Sequence, residues 1–238
     1  MISMLSAILE GNGMTSNELA KHIDHTLLKA EAKREDVLKL CEEAVTCGFH
    51  SVCVNPRWVP VAADRLQGTA VAVCSVISFP LGADTTKIKV AQAQDAIYAG
   101  ADEIDMVADL AAIIEADGKY LLHQLMSVLK ACRAMRPPVL LKVIIESAAL
   151  TPEQKVFACQ IADQAGVDFV KTSTGFHPAG GATVEDVALM KQAAPHCRVK
   201  ASGGIRTAAQ AIAMLNAGAD RIGASASVAI IEELRTND

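Results

Sequence analysis

Eight short runs rich in β-branched and apolar residues alternate with longer segments of helical periodicity along the whole chain. The runs recur about every 28 residues, the length of a strand-plus-helix unit and too long for a hairpin. Strands joined through helices lie parallel in one sheet. The predicted strands cover residues 23–26, 51–54, 71–77, 103–107, 139–145, 168–172, 198–201 and 220–223.

Helix-capping signals in the intervening segments support this assignment. The spacing of a capping box, a Thr followed three residues later by Glu, Gln or Asp, occurs at Thr15, Thr151, Thr183 and Thr207. Gly48 and the glycines of YAGAD, QAGVD and NAGAD stand where helices should end. The stretch before Asp24 is predicted to form a short extra helix over one end of the sheet.

Eight strand-plus-helix units in 238 residues fit a closed (β/α)8 barrel, which typically contains about 250 residues. The alternative is an open doubly wound sheet, which is favoured by a G-x-G-x-x-G sequence after an early strand. This chain contains no such sequence. We therefore predict an α/β fold in which residues 1–238 form a single TIM-barrel domain with a short N-terminal helix.

Composition and charge limit the classes of partner. Hydrophobic residues make up 51% of the chain, enough for a large core, and the net charge of −5 lacks the basic surface that nucleic-acid binding requires. We expect no membrane span, because no apolar run approaches about 18 residues. The seven cysteines contain no C-x-x-C pair, which argues against structural zinc and disulfides. With no charged secretory leader visible, we expect a reducing, cytoplasmic location.

Charged residues inside strands are the strongest indication of function, because a buried ion costs several kcal/mol unless it is paired. Asp105, Lys142, Lys171 and Lys200 lie in or near the carboxyl-terminal halves of strands four to seven. One such lysine could mark a strand end emerging into solvent, but together they favour an active site, since these ends converge in a barrel. Crowded, desolvated lysines supply a neutral amine, which predicts Schiff-base chemistry on a carbonyl.

Small residues follow the last three predicted strands. They are Thr174, Gly175, Gly203, Gly204, Gly223, Ser225 and Ser227. Backbone N–H groups of such loops can reach an anion, and the loops after strands seven and eight are the frequent phosphate site of this fold. The alternative is that these glycines form ordinary turns. The pattern favours a substrate that carries a phosphate.

The histidines and the strand-end cysteine give weaker indications. His22 and His25 have helical spacing but no visible third ligand, so a structural role is favoured over metal binding. His177 lies in the loop after Lys171 and could approach the substrate, but an exposed loop residue is the favoured interpretation. Cys53 ends a strand, where it either packs in the core or lines the pocket.

Taken together, these segments resemble the deoxyribose-phosphate aldolase family, whose members are class I aldolases on a (β/α)8 barrel. The matching segments, in the family's order, are IDHTLLK at 23–29, SVCVNP at 51–56, ISFPLG at 77–82, GADEIDMV at 100–107, LKVIIE at 141–146, FVKTSTGF at 169–176, KASGGIRT at 200–207 and GASAS at 223–227. They extend over nearly the whole chain, and FVKTSTG with KASGGIRT is a highly specific combination.

The resemblance implies a role for each candidate residue. Lys171 corresponds to the Schiff-base lysine, Asp105 to the acid/base aspartate and Lys200 to a helper lysine whose charge keeps the Lys171 amine neutral. The implied supporting pocket residues are Asp24, Cys53 and Lys142. The implied phosphate contacts are Thr174, Gly175, Gly203, Gly204, Gly223 and Ser225.

The reaction implied by the resemblance is the reversible cleavage of 2-deoxy-D-ribose 5-phosphate to acetaldehyde and D-glyceraldehyde 3-phosphate. It needs no metal and no organic cofactor, and a homo-oligomer, most plausibly a dimer, is expected. Two departures stand out: Phe176 replaces a basic residue of some members, and the chain lacks the C-terminal tyrosine of others, since its tyrosines are Tyr98 and Tyr120.

Two alternatives remain open at the level of sequence. One is another Schiff-base barrel enzyme that acts on a different sugar phosphate, because fold and lysine do not fix the acceptor. The other is a non-catalytic barrel that binds a sugar phosphate. A metal-dependent aldolase is disfavoured, because the sequence contains no convincing set of histidine and carboxylate ligands.

Overall fold

The computed structural model describes residues 13–236. Within them, eight parallel strands close into a barrel in chain order, and β8 pairs with β1. The strands are β1 Ile23–Leu27, β2 Ser51–Val54, β3 Ala72–Ile77, β4 Glu103–Val107, β5 Leu140–Ile144, β6 Phe169–Lys171, β7 Arg198–Ser202 and β8 Arg221–Ala224. The predicted TIM barrel is confirmed, and every predicted strand boundary lies within one residue of the observed one.

Each strand is followed by at least one helix, and β4 is followed by two. The helices are α1 Ser16–Ala20, α2 Arg34–Cys47, α3 Val59–Leu66, α4 Thr86–Tyr98, α5 Leu110–Ile114, α6 Gly118–Arg133, α7 Pro152–Ala165, α8 Val184–Ala193, α9 Ala208–Asn216 and α10 Ser227–Arg235. The predicted extra helix is confirmed as α1, which packs against α10. The rest of that prediction, residues 1–12, lies outside the described residues.

The predicted capping residues occupy helix starts. Thr15, Thr151 and Thr207 form complete capping boxes, whereas the Thr183 side chain accepts the backbone N–H of Asp186 without a reciprocal bond. Gly48 ends α2 in the left-handed conformation, with φ of 71°, as its position after the helix predicts.

Alternate residues of each strand face different layers, and this periodicity separates the core from the site. Ile104 and Met106 of β4 belong to the apolar core of the domain. Glu103 and Asp105 alternate with them along the strand and form ion pairs with a lysine of β5 inside the barrel. The barrel interior is therefore polar at its centre. None of the described helices is long and apolar enough to cross a membrane.

Candidate active site

Asp105 lies at the centre of a group of lysines from three neighbouring strands. Its Oδ2 accepts hydrogen bonds from Lys171 Nζ at 2.6 Å and from Lys200 Nζ at 2.8 Å, while its Oδ1 accepts one from Lys142 Nζ at 2.8 Å. The strand register produces this arrangement, because Asp105 is paired with Lys142 and Lys171 with Lys200. The structure thus brings together four residues that the sequence singled out.

A second layer of ionic groups lies deeper in the barrel. Asp24 pairs with Lys200 at 2.5 Å and with Arg221 at 2.7 Å. Glu103 pairs with Lys142 at 2.5 Å, and its other carboxylate oxygen lies 3.5 Å from Arg221. All of these side chains are buried, so each charge depends on its partners for stabilisation.

The lysines hold the buried carboxylates in their ionised form. Burial raises the pKa of Asp105, but the three surrounding lysines outweigh it and hold that pKa well below its usual range. The pKa of Asp24 is also low, because Lys200 and Arg221 overcome the effect of burial. Both aspartates are therefore anions at neutral pH.

The carboxylates in turn hold two of the lysines as ammonium ions. Burial lowers the pKa of Lys142, yet the adjacent Asp105 carboxylate and its neighbours raise it well above the usual value. The pKa of Lys200 is likewise raised, by Asp105 and Asp24 against the effect of burial. Lys200 is therefore an ammonium ion at neutral pH.

A cleft of about 390 Å³ opens at the carboxyl-terminal end of the barrel, with Lys171 among its lining residues. All six predicted phosphate contacts line the same cleft: Thr174, Gly175, Gly203, Gly204, Gly223 and Ser225. Ser227 does not, because it is buried and its hydroxyl donates to the carbonyl oxygen of Ala224. Asp105 and Lys200 lie behind Lys171, where the cleft does not reach them.

The cleft also contains two cations that the sequence analysis did not select. Lys29 follows β1 and Arg206 precedes α9, and both line the cleft as exposed side chains. In the part of the chain that the structure describes, neither side chain forms an ion pair. These two side chains bring positive charge to the cleft, to which the uncharged Phe176 contributes none.

The loop after β6 is fixed by a carboxylate. The backbone N–H and the hydroxyl of Thr174 both donate to Glu146, at 3.1 Å and 2.6 Å. Glu146 follows β5 in a left-handed conformation with φ of 56°, which is unusual for a residue with a side chain. A phosphate that used the Thr174 donors would have to replace this carboxylate.

Two thiols lie beside Asp105. Cys53 of β2 and Cys74 of β3 are paired in the strand register, and Cys74 Sγ lies 3.1 Å from Asp105 Oδ1. Sulfur and carboxylate atoms of these three residues lie within 4.8 Å of one another, close enough to hold a metal ion. However, Lys142 Nζ lies 3.4 Å from Cys74 Sγ and 2.8 Å from Asp105 Oδ1, so an ammonium already provides the positive charge there.

The histidines contact other parts of the protein. His25 Nε2 lies 2.8 Å from Glu43 of α2, and His22 Nδ1 lies 3.0 Å from the carbonyl oxygen of Asp220. His177 accepts a hydrogen bond from Ala179 within its own loop. The contacts of His22 and His25 agree with the structural role favoured for them, whereas His177, expected to be exposed, is half-buried.

Sequence reasoning missed Glu103 and Arg221, although both carried a recognisable signal. Residues two apart on a strand share a face, so Glu103 has to face the same side as Asp105. By the same rule Arg221 shares the inner face with Gly223. Both residues begin their strands, where a charge is easily interpreted as a solvent-exposed strand end.

Comparison with known proteins adds to this geometry. The profile of a family described as "DeoC/LacD family aldolase" matches residues 19–232. Deoxyribose-phosphate aldolase of Bacillus cytotoxicus is 52% identical over 214 residues, covering 90% of this chain and 94% of the relative. The enzyme of the same name from Mannheimia succiniciproducens is 51% identical over 225 residues, covering 94% and 98%.

Solved structures agree with the sequence comparison. The tetrameric deoxyribose phosphate aldolase from Aeropyrum pernix has a TM-score of 0.88 at 31% identity, covering 99% of this chain and 98% of the other. A protein described as "QR15, an Aldolase" has a TM-score of 0.86 at 38% identity, covering 92% and 97%. With the profile matching all eight strands and relatives identical at half of the aligned positions, this chain belongs to the DeoC/LacD family of aldolases.

Proposed function

We propose that this aldolase reversibly cleaves 2-deoxy-D-ribose 5-phosphate to acetaldehyde and D-glyceraldehyde 3-phosphate through a Schiff base on Lys171. The observation that carries the proposal is the position of Lys171, which lines the cleft and whose Nζ lies 2.6 Å from the Asp105 carboxylate. A nucleophile and a proton-transfer group within hydrogen-bond reach are what this chemistry requires. The names of the relatives supply the choice of substrate.

In the proposed mechanism, the neutral Lys171 amine attacks the C1 aldehyde of the open-chain sugar. The adduct takes up one proton from solvent and loses water to form a protonated imine. The bond between C2 and C3 then breaks, because C2 is adjacent to the imine carbon and C3 carries the hydroxyl group. The electron pair of that bond moves into the imine and gives an enamine. Glyceraldehyde 3-phosphate leaves, and protonation at C2 followed by hydrolysis releases acetaldehyde.

Asp105 is proposed to accept the C3 hydroxyl proton and to return a proton to C2 of the enamine. Its ionised state at neutral pH suits it to the first step. Lys200 contacts the same carboxylate oxygen as Lys171, so its ammonium can pass a proton to Asp105 and stabilise the negative charge. Lys142 forms an ion pair with Asp105, and Asp24 forms one with Lys200, so both hold these groups in position.

The phosphate is proposed to bind in the loops after β6, β7 and β8. Gly203, Gly204, Gly223 and Ser225 bring backbone groups to the cleft without bulky side chains in the way. Lys29 and Arg206 supply the positive charge.

Borohydride trapping with acetaldehyde, followed by peptide mass mapping, tests the imine. We expect an ethyl adduct on Lys171 that is absent from Lys171→Leu and unchanged in Lys119→Leu, which alters an exposed lysine. No adduct on a folded protein that still binds sugar phosphate would favour the non-catalytic binding protein. An adduct together with other cleavage products would favour an aldolase for a different sugar phosphate.

We also propose that the chain assembles as a homodimer in the cytoplasm. Leu81 and Tyr98 are each 78% exposed, and exposed large apolar side chains of this kind are typical of contact surfaces. The Aeropyrum pernix relative is described as a tetramer. Light scattering coupled to gel filtration will give the mass of the assembly, and a monomer at micromolar concentration would contradict the proposal.

A further inference from the structure

Two charged residues lie at the amino-terminal end of the barrel, opposite the cleft. Glu103 is the first residue of β4 and Arg221 is the first residue of β8. Both are buried, and neither lines the cleft that contains Lys171. Neither can touch a substrate held in that cleft, so they do not act as catalytic residues.

Arg221 is fixed in place by contacts on several sides. Its Nη1 lies 2.7 Å from Asp24 and 3.5 Å from Glu103, and its guanidinium lies 5.4 Å from the centre of the Phe169 ring. Arg198 lies 4.1 Å from the same ring. The base of the ionic network therefore consists of a buried guanidinium and the two carboxylates that it contacts.

The network contains one more cationic group than it has carboxylates. Its three carboxylates, Asp24, Glu103 and Asp105, match three of its four cationic groups. Arginine does not lose its proton in proteins, and Lys142 and Lys200 each contact two carboxylates at 2.8 Å or less. Lys171 contacts only one of them, Asp105. Lys171 is therefore the cation of the network with the fewest carboxylate contacts.

We propose that Glu103 and Arg221 are positioning residues that set the charge balance of the barrel interior, so that Lys142 and Lys200 keep their protons and the Lys171 amine is neutral. This inference rests on the proposed function, because a neutral amine matters only if Lys171 attacks a carbonyl. It assigns a role in catalysis to residues at the opposite end of the barrel from the substrate.

The ionisable groups that face the network come from every strand and from the residue before β2. Its members are Asp24 of β1, Cys53 of β2, Cys74 of β3, Glu103 and Asp105 of β4, Lys142 of β5, Lys171 of β6, Lys200 of β7 and Arg221 of β8, with His50 lying 3.5 Å from Glu103. The His50 side chain is 40% exposed, so a charge there is screened by solvent. The ion pairs inside the barrel are formed by the three carboxylates, the three lysines and Arg221.

Arg221→Met tests the proposal through the pH dependence of kcat/KM, whose acid limb reports the essential ionisations of the free enzyme. Removing the guanidinium leaves one excess negative charge, so Lys171 retains a proton. We expect the acid limb to move to higher pH by on the order of one unit, since a unit charge within a buried cluster has an effect of this size. Activity lost at pH 7 should return at alkaline pH. Arg221→Lys, which keeps the charge, should leave the limb in place.

The double variant Arg221→Met with Glu103→Gln restores the balance and provides the decisive comparison. We expect its acid limb to return towards that of the unchanged protein, whereas Glu103→Gln alone moves the limb to lower pH. A purely structural role predicts that the double variant is at least as impaired as either single variant. Arg34→Met and Glu115→Gln, which alter exposed residues, serve as matched controls.

Two results would overturn the inference. One is an acid limb of the kcat/KM profile that does not move in Arg221→Met. The other is a double variant whose acid limb lies at the same pH as that of Arg221→Met. Circular dichroism at each pH separates these outcomes from unfolding, and borohydride trapping across the same pH range reads imine formation when turnover is too slow. If the unchanged protein neither forms the adduct nor cleaves the sugar phosphate, the proposed function has failed. If it does both and the limb does not move, only this inference has failed.

Discussion

Replacing Asp105 by asparagine is the sharpest test of the assignment of roles. The side chain keeps its shape but can no longer accept the proton of the C3 hydroxyl group. Positioned acid/base catalysis contributes about 10²- to 10⁴-fold, so kcat for sugar cleavage should fall by that factor, which corresponds to about 3–5 kcal/mol in the activation barrier.

The contacts of Asp105 indicate that the fold survives this change. Removing one partner of a buried ion pair costs about 3–5 kcal/mol when the other charge is left unpaired. Here Lys142 keeps Glu103 and Lys200 keeps Asp24, both at 2.5 Å. Of the three lysines, only Lys171 has no second carboxylate among the described residues, and the amine that the proposed mechanism requires is the neutral one. We therefore expect a loss of stability well below that range.

The assay couples release of glyceraldehyde 3-phosphate to a dehydrogenase, and thermal unfolding is measured on the same samples. Asp64→Asn, which alters an exposed aspartate, is the control for the loss of one negative charge. Activity of Asp105→Asn within tenfold of the unchanged protein would refute the acid/base role. Loss of activity with a fully unfolded protein would refute the argument about paired lysines.

The structure supports three further predictions. Lys29→Met should raise KM for deoxyribose 5-phosphate about tenfold and leave turnover of unphosphorylated deoxyribose unchanged. A lost phosphate contact weakens binding only when phosphate is present. Steady-state kinetics, with Lys39→Met as the control variant, tests this. Stability should decline as the pH falls. Burial raises the pKa of Glu103, but Lys142 outweighs burial and the pKa falls from 4.5 to about 2. Its contribution is complete above pH 4.5 and disappears towards pH 2, and urea unfolding should show a weaker decline in Glu103→Gln. Glu146→Gln should loosen the loop after β6 and raise KM for the sugar phosphate, and equal kinetics for variant and parent would contradict this.

Much of the barrel could be predicted because two periodicities repeat eight times along the chain. A strand that alternates between core and interior, followed by a capped helix, gives the same signal in each unit, and errors of one residue do not change the order. Lys171, Asp105 and Lys200 could be found because an ion inside a strand has no role in an apolar core.

The ionic partners could not be predicted in the same way. Contact between Arg221 and Asp24 depends on closure of β8 onto β1, and the sequence alone does not give the register of that pairing. The hydrogen bond between Glu146 and Thr174 depends on the left-handed conformation of Glu146, and no glycine at that position indicates such a conformation. In both cases the contact joins residues that are far apart in sequence, and local sequence patterns do not predict such contacts.

The pairing of the first strand with the last also has a consequence for the order of folding. Asp24 and Arg221 are 197 positions apart, so their contact forms only when the chain has closed upon itself. Contacts over such separations form slowly, because a long loop has to be ordered first. In a refolding or newly synthesised chain, the helices should therefore form before Lys171 becomes reactive. Borohydride labelling of Lys171 should lag behind the far-ultraviolet circular dichroism signal. The active site of the aldolase is then the last part of the barrel to form.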